Sequence, residues 1–159
     1  MKTACVELEG DGLRFRAHSG SGHSVVVDGA EGDTGARPTE LLLVALAGCT
    51  AMDVISILRK KRQVVEDYQV SVQGVQRAEH PRAFTEIQVH HLVRGPVDAE
   101  EVRRSIELSA ERYCSVSGAL SSGIARIRHE FQVERPDRVV VGEVCVTGPD
   151  RKLDEPVAA

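Results

Sequence analysis

The 159 residues carry a formal net charge of −4, with 42% hydrophobic and 28% charged side chains, which suits one sizeable core and does not describe a disordered chain. No basic excess points to nucleic acid as a partner, and three Phe, two Tyr and no Trp provide no platform for stacked bases. Residues 1–20 lack the apolar core of a signal peptide, so the expected compartment is the cytoplasm, and the four cysteines read as free, metal-bound or redox-active thiols rather than a disulfide scaffold.

Residues 3–28 predict three short strands, TACVELEG, LRFRAH and HSVVVD, separated by Gly-Asp-Gly and Ser-Gly turns. Residues 28–37 (DGAEGDTGAR) hold three glycines and no bulky apolar side chain, and read as a loop. Pro38 suits the first position of a helix. That helix is expected to run to about Arg62, where basic residues meet the negative end of its dipole.

Within this helix, Leu41 to Leu58 is eighteen residues with fourteen apolar ones, so it must be tested as a membrane span. Asp53 would cost about 2.5–3.5 kcal/mol at a bilayer centre, and strand-like segments lie on both sides. The expected reading is a helix covered by protein on every side, with a second subunit supplying what one chain cannot. No membrane is expected as a partner.

Residues 67–78 and 83–94 alternate apolar and polar side chains around His80-Pro81-Arg82 and predict a hairpin. Asp98, with Glu101 three residues later, resembles a capping box opening a second helix. Val102, Ile106, Ala110 and Tyr113 fall on one stripe of that helix, and Cys114 ends it. Ser115 or Ser117 is expected to cap a short following helix that stops at Gly123. Residues 125–134 alternate again, with Ile127, His129, Phe131 and Val133 on one face. The order of elements predicts an α+β fold with antiparallel sheet, not alternating βαβ units. Residues 1–135 are expected to form one domain. Residues 136–159 form an appendage in which 138–147 adds a strand to a sheet edge before a polar end.

Local spacing gives little support to metal or phosphate chemistry. His90 and His91 are adjacent, so on a strand they face opposite ways, while His80 and His129 stand alone. The Gly-x-Gly strings at 10–12 and 20–22 precede strands and read as turns. Gly-Ala-Leu-Ser-Ser-Gly near 118–123 lacks the strand-turn-helix setting of a nucleophile elbow. Cys5 and Cys145 are most simply read as small apolar packing residues within strands. For Cys49, in mid-helix, and Cys114, at a helix end, the residues themselves leave core packing and thiol chemistry equally open.

Two longer strings break that tie. GARPTELLLVALAGCTAMDV (35–54) and ERYCSVSGAL (111–120) together resemble the OsmC/Ohr family, particularly its YhfA-like branch. LRFRAHSGSGHSVVVD (13–28), EHPRAFTEIQVHHLVRG (79–95) and SIELSAERYCSVS (105–117) match in the same order, so the resemblance covers about residues 3–135. It implies an OsmC-like fold, with antiparallel sheets around two long central helices in an intertwined homodimer and the active sites at the dimer interface. It further implies a thiol peroxidase for organic hydroperoxides, without cofactor or metal. Cys49 would attack the peroxide as a thiolate and become a sulfenic acid. Cys114 would condense with it to a disulfide, which a dithiol such as a lipoyl group or a thioredoxin-like protein reduces.

The resemblance also implies an arginine beside the first thiol, held by a glutamate near the start of the long helix. Arg14 and Arg16 are the candidates for the arginine, with Arg37 third. The peroxidases carry their glutamate ten residues before the first cysteine, where this chain has Thr39. Glu40 lies nine before, turned ~100° around the helix, and equally suits an N3 carboxylate at the helix start. The alternative to an enzyme is a dimeric small-molecule-binding or redox-sensing protein on the same fold.

Overall fold

The computed structural model describes residues 1–122 and 126–147; the predicted helix stop at Gly123, the Cys145 side chain and the polar end after residue 147 lie outside the described residues. The chain divides into two compact units, residues 1–44 and 45–159.

In the first unit, β1 (Ala4–Leu8), β2 (Phe15–Ser19) and β3 (Ser24–Val27) form an antiparallel sheet in chain order. Its two turns need left-handed backbone at Gly10 (φ 80°) and Gly22 (φ 86°), which a residue without Cβ adopts at no steric cost. The loop that follows is organised by buried Asp28, whose carboxylate accepts hydrogen bonds from the Gly29 and Thr34 amides and the Thr34 hydroxyl. Cys5 departs from its expected packing role. It is exposed, as are all five residues of β1, neither face of which is covered within the chain.

Helix α1 (Pro38–Lys60) starts in the first unit and runs into the second. The second unit continues with β4 (Asp67–Gln76), β5 (Phe84–Arg94), α2 (Ala99–Leu108), a π turn (Ser109–Tyr113), α3 (Ser115–Ser121), β6 (Arg126–Glu134) and β7 (Val139–Thr147). The sheet order is β4-β5-β6-β7. β4–β5 and β6–β7 are antiparallel, whereas β5 and β6 run parallel. That parallel pair corrects the expectation of a purely antiparallel sheet. The helical segment between β5 and β6 is a crossover that carries the chain back to the end where β5 began, as a parallel neighbour requires. The α+β class stands, and β7 adds an antiparallel strand to β6 at the sheet edge.

Strict alternation on β5 and β6 buries Ile87, Val89, His91 and Val93 on one strand and Ile127, His129, Phe131 and Val133 on the other. Against part of this face pack Val102 and Ile106 from α2 and Val54 and Leu58 from α1, forming one apolar cluster. Asp98 caps α2 by accepting the Glu100 and Glu101 amides at 2.8 and 3.4 Å. The return half of the predicted capping box is absent. The Asp98 amide donates to Gln63 Oε1 at 2.9 Å, and the Glu101 carboxylate pairs with Lys61.

Within the chain, α1 is covered on one stripe only, Leu46, Thr50, Val54 and Leu58, at the i, i+4 spacing of a single helix face. Its apolar window has a mean hydropathy of 2.3 and is 22% buried, and it is long and apolar enough to cross a membrane by length and composition. Leu42, Val44 and Met52 point outward.

Candidate functional site

The second unit brings two of the predicted site residues together. Cys49 lies half-buried on α1, one residue before Thr50 of the covered stripe, and Asp53 follows it by one turn on the same side of the helix. Cys114 arrives from the far end of α2. Continued α-helical register would have buried Tyr113 along with Val102, Ile106 and Ala110, as the sequence stripe predicts. Instead the helix widens at Ser109, and the Cys114 amide donates five residues back to the Ser109 carbonyl at 2.8 Å. The extra residue rotates Tyr113 outward to 56% exposure and turns Cys114 inward to 5%.

Cys114 then leaves the helix in an extended conformation and itself caps α3, its Sγ accepting the Ser117 amide at 3.3 Å. The cap is therefore the cysteine, not Ser115 or Ser117; those residues sit inside the first turn. A capping oxygen is the usual solution, and a sulfur in its place fixes where the thiol points. The two cysteine sulfurs and an Asp53 carboxylate oxygen all lie within 4.8 Å of one another. Burial, then a hydrogen bond with Cys49, pushes the Cys114 thiol up to about 12, outweighing the Ser117 amide that favours its thiolate.

Ser109, at the widened turn, donates its hydroxyl to Asp53 Oδ2 at 3.0 Å and lies 3.1 Å from the Thr50 hydroxyl on the covered stripe. A groove of 540 Å³ opens beside Asp53, lined among others by Ile57, Lys60, Leu108 and Tyr113. Two thiols and a carboxylate within 4.8 Å of one another are a donor set that suits a soft cation, whose coordination would itself displace the thiol protons.

Beneath this site runs a buried polar line. The Tyr68 hydroxyl meets His91 Nδ1 at 2.8 Å, and His91 Nε2 lies 3.4 Å from His129 Nδ1, with the three rings stacked in sequence. His129, expected to stand alone, is thus paired across β5 and β6, and its Nε2 has no hydrogen-bond partner among the described residues. Burial holds both histidines neutral, His129 down to about 4 and His91 well below its ordinary value. Burial and then the Asp53 charge push the Tyr68 hydroxyl upward.

The other candidates belong to the first unit. Arg14 and Arg16 converge on Glu9, whose two carboxylate oxygens take their Nε atoms at 3.0 and 2.7 Å. The Arg16 hydrogen bond, with Arg14 beside it, holds the Glu9 carboxyl below its ordinary range. Glu40 faces its own helix start, accepting the Arg37 amide at 2.9 Å with the Arg37 guanidinium at 3.6 Å. The acid that orients Arg14 and Arg16 is therefore Glu9, which sequence reasoning missed. Asp53 and Ser109 were missed as well; the Cys-x-x-x-Asp spacing on a helix is the signal that could have found the former.

Comparison with known proteins agrees with this architecture. A family model described as OsmC-like protein matches residues 30–129. Protein YhfA of Escherichia coli K12 is 43% identical over 124 residues, covering 77% of this chain and 92% of its own length. A crystal structure of a hypothetical protein from Aquifex aeolicus superposes with a TM-score of 0.74 at 30% identity, covering 85% of this chain and 97% of that one. An organic hydroperoxide resistance protein OsmC from Legionella pneumophila shares the fold at a TM-score of 0.61 and 15% identity, covering 84% and 96%.

Proposed function

The chain belongs to the OsmC-like protein family, and from that premise we propose that it is a thiol peroxidase that reduces organic hydroperoxides through Cys49 and Cys114. The observation that carries this reading is the asymmetry of the two thiols. Cys114 is buried, capped into α3 and holds its proton tightly, whereas Cys49 is half-buried on α1 and close enough to react with it. An attacking thiolate needs access to substrate, and a resolving thiol needs only to reach its partner.

In the first step the Cys49 thiolate attacks the O–O bond. One oxygen is transferred to sulfur as a sulfenic acid, and the alkoxide leaves as an alcohol after taking a proton. In the second step the Cys114 sulfur displaces the sulfenic hydroxyl, giving the 49–114 disulfide and water. A dithiol, lipoyl-linked or thioredoxin-like, returns both cysteines to thiols. Thiolate stabilisation is assigned to Arg14 or Arg16, which Glu9 holds, and Glu40 caps α1. The working form is a cytoplasmic homodimer in which a second copy covers Leu42, Val44 and Met52.

Turnover tests the reading. With tert-butyl hydroperoxide and dihydrolipoamide in excess, a peroxidase consumes many equivalents of peroxide per chain. Consumption that stops at one equivalent would make the dithiol a sensor or binding-site switch and overturn the enzyme assignment.

A further inference from the structure

The proposed steps leave Asp53 without a task, although its position is the least expected on α1. A carboxylate in the middle of an apolar helix is costly to desolvate unless something compensates it. Here the compensation is built in: Ser109 donates to Oδ2 from the widened turn that also delivers Cys114. The same turn thus sets both the second thiol and the carboxylate that faces it. Asp53 is half-buried, and one of its carboxylate oxygens lies within 4.8 Å of both sulfurs. The second step, meanwhile, begins with a thiol whose burial resists ionisation, so attack on the sulfenic acid calls for a nearby group to take the proton.

We propose that Asp53 is the general base and acid of disulfide formation, a role that rests on the peroxidase reading. As the Cys114 sulfur bonds to the Cys49 sulfur, its proton passes to the Asp53 carboxylate. As the S–O bond breaks, that proton passes to the departing hydroxyl, which leaves as water. The carboxylate is regenerated, one sulfur is oxidised, the sulfenic sulfur is reduced, and no further reactant is needed. The hydroxyl of Ser109 keeps the accepting oxygen aimed at the seam between the two thiols.

The test follows the two steps separately in the full-length chain. One equivalent of cumene hydroperoxide is added, a dimedone-type probe samples the Cys49 sulfenic acid, and non-reducing peptide mapping times the disulfide. Asp53→Asn should form the sulfenic acid no more slowly than the wild type and close the disulfide roughly a hundredfold more slowly. Added formate should restore part of that rate in Asp53→Asn and leave the wild type unchanged. Asp53→Glu should close the disulfide faster than Asp53→Asn. Disulfide closure at the wild-type rate in Asp53→Asn would overturn the role of Asp53 and leave the peroxidase reading standing. Equal losses in the Asn and Glu variants with no formate rescue would make the residue structural and also overturn it. A wild type that forms no sulfenic acid on Cys49 would overturn the peroxidase reading and this role with it.

Discussion

Ser109 and Asp53 meet at 3.0 Å, a hydrogen bond that ties the widened end of α2 to the middle of α1. Ser109 is fully buried, and the Thr50 hydroxyl beside it is equally closed off from water. Ser109→Ala therefore leaves two polar groups short of a partner without changing the apolar packing around them. The expected loss is about 1–3 kcal/mol, measured by urea unfolding with an unchanged m-value. Stability equal to the wild type would mean that water replaces the lost hydroxyl.

The two thiols should fail in different ways. Cys49→Ser removes the attacking sulfur, so no peroxide should be consumed, even once. Cys114→Ser keeps the first step, so one equivalent should react and leave a sulfenic acid that advances to sulfinic acid under excess peroxide. Mass spectrometry of the Cys49 peptide reads the difference as added oxygen. A sulfenic acid trapped first on Cys114 would reverse the roles.

Acid sensitivity should trace to the histidine pair. In the unfolded chain His129 takes up a proton near 6.5, and in the folded chain only near 4, because burial disfavours its charge. Its folded value is depressed, so between those limits the unfolded state binds more protons and stability rises with pH. The contribution is complete above 6.5 and is lost as pH falls toward 4, at up to about 1.4 kcal/mol per pH unit for each such histidine. His91 shifts the same way, through burial first and then the neighbouring His129 and His90. Denaturant melts from about pH 7 to about pH 5 should show this slope, and His129→Leu should remove one histidine's share of it. An unchanged slope in His129→Leu would contradict the assignment.

Assembly has its own test. Met52 is 68% exposed on a helix whose apolar window is only 22% buried, a surface a monomer has little reason to keep open to water. Light scattering should give twice the mass of one chain, and Met52→Glu should shift the equilibrium toward the monomer. A monodisperse wild-type monomer at micromolar concentration would refute the dimer.

β5 and β6 were legible because one face of each is covered. Period-two alternation in residues 83–94 and 125–134 picks out the residues that β5 and β6 bury. Pro38 and the basic run after Leu58 bounded α1 to within about two residues, and Asp98 announced α2. What stayed hidden depends on contacts between segments far apart in sequence. Nothing local says that β6 lies parallel to β5, or that His129 meets His91, because strand pairing is chosen by the whole sheet. The widening at Ser109 is a one-residue change of helical register with no residue signature of its own, and it decides that Cys114 turns inward while Tyr113 turns out. Glu9 sits just after β1, where a carboxylate is unremarkable until Arg14, just before β2, and Arg16, within β2, arrive on it. Cys49 and Cys114 could be singled out only through the longer strings around them, since an isolated cysteine on either element packs as readily as it reacts.

Peroxidase chemistry at these two cysteines is read from the fate of the wild-type thiols after a single equivalent of organic hydroperoxide. Peptide mapping under non-reducing conditions should find Cys49 joined to Cys114, with Cys5 still reduced and the link reversed by dihydrolipoamide. Cys49 and Cys114 both remaining as free thiols after excess hydroperoxide would rule out the peroxidase reading.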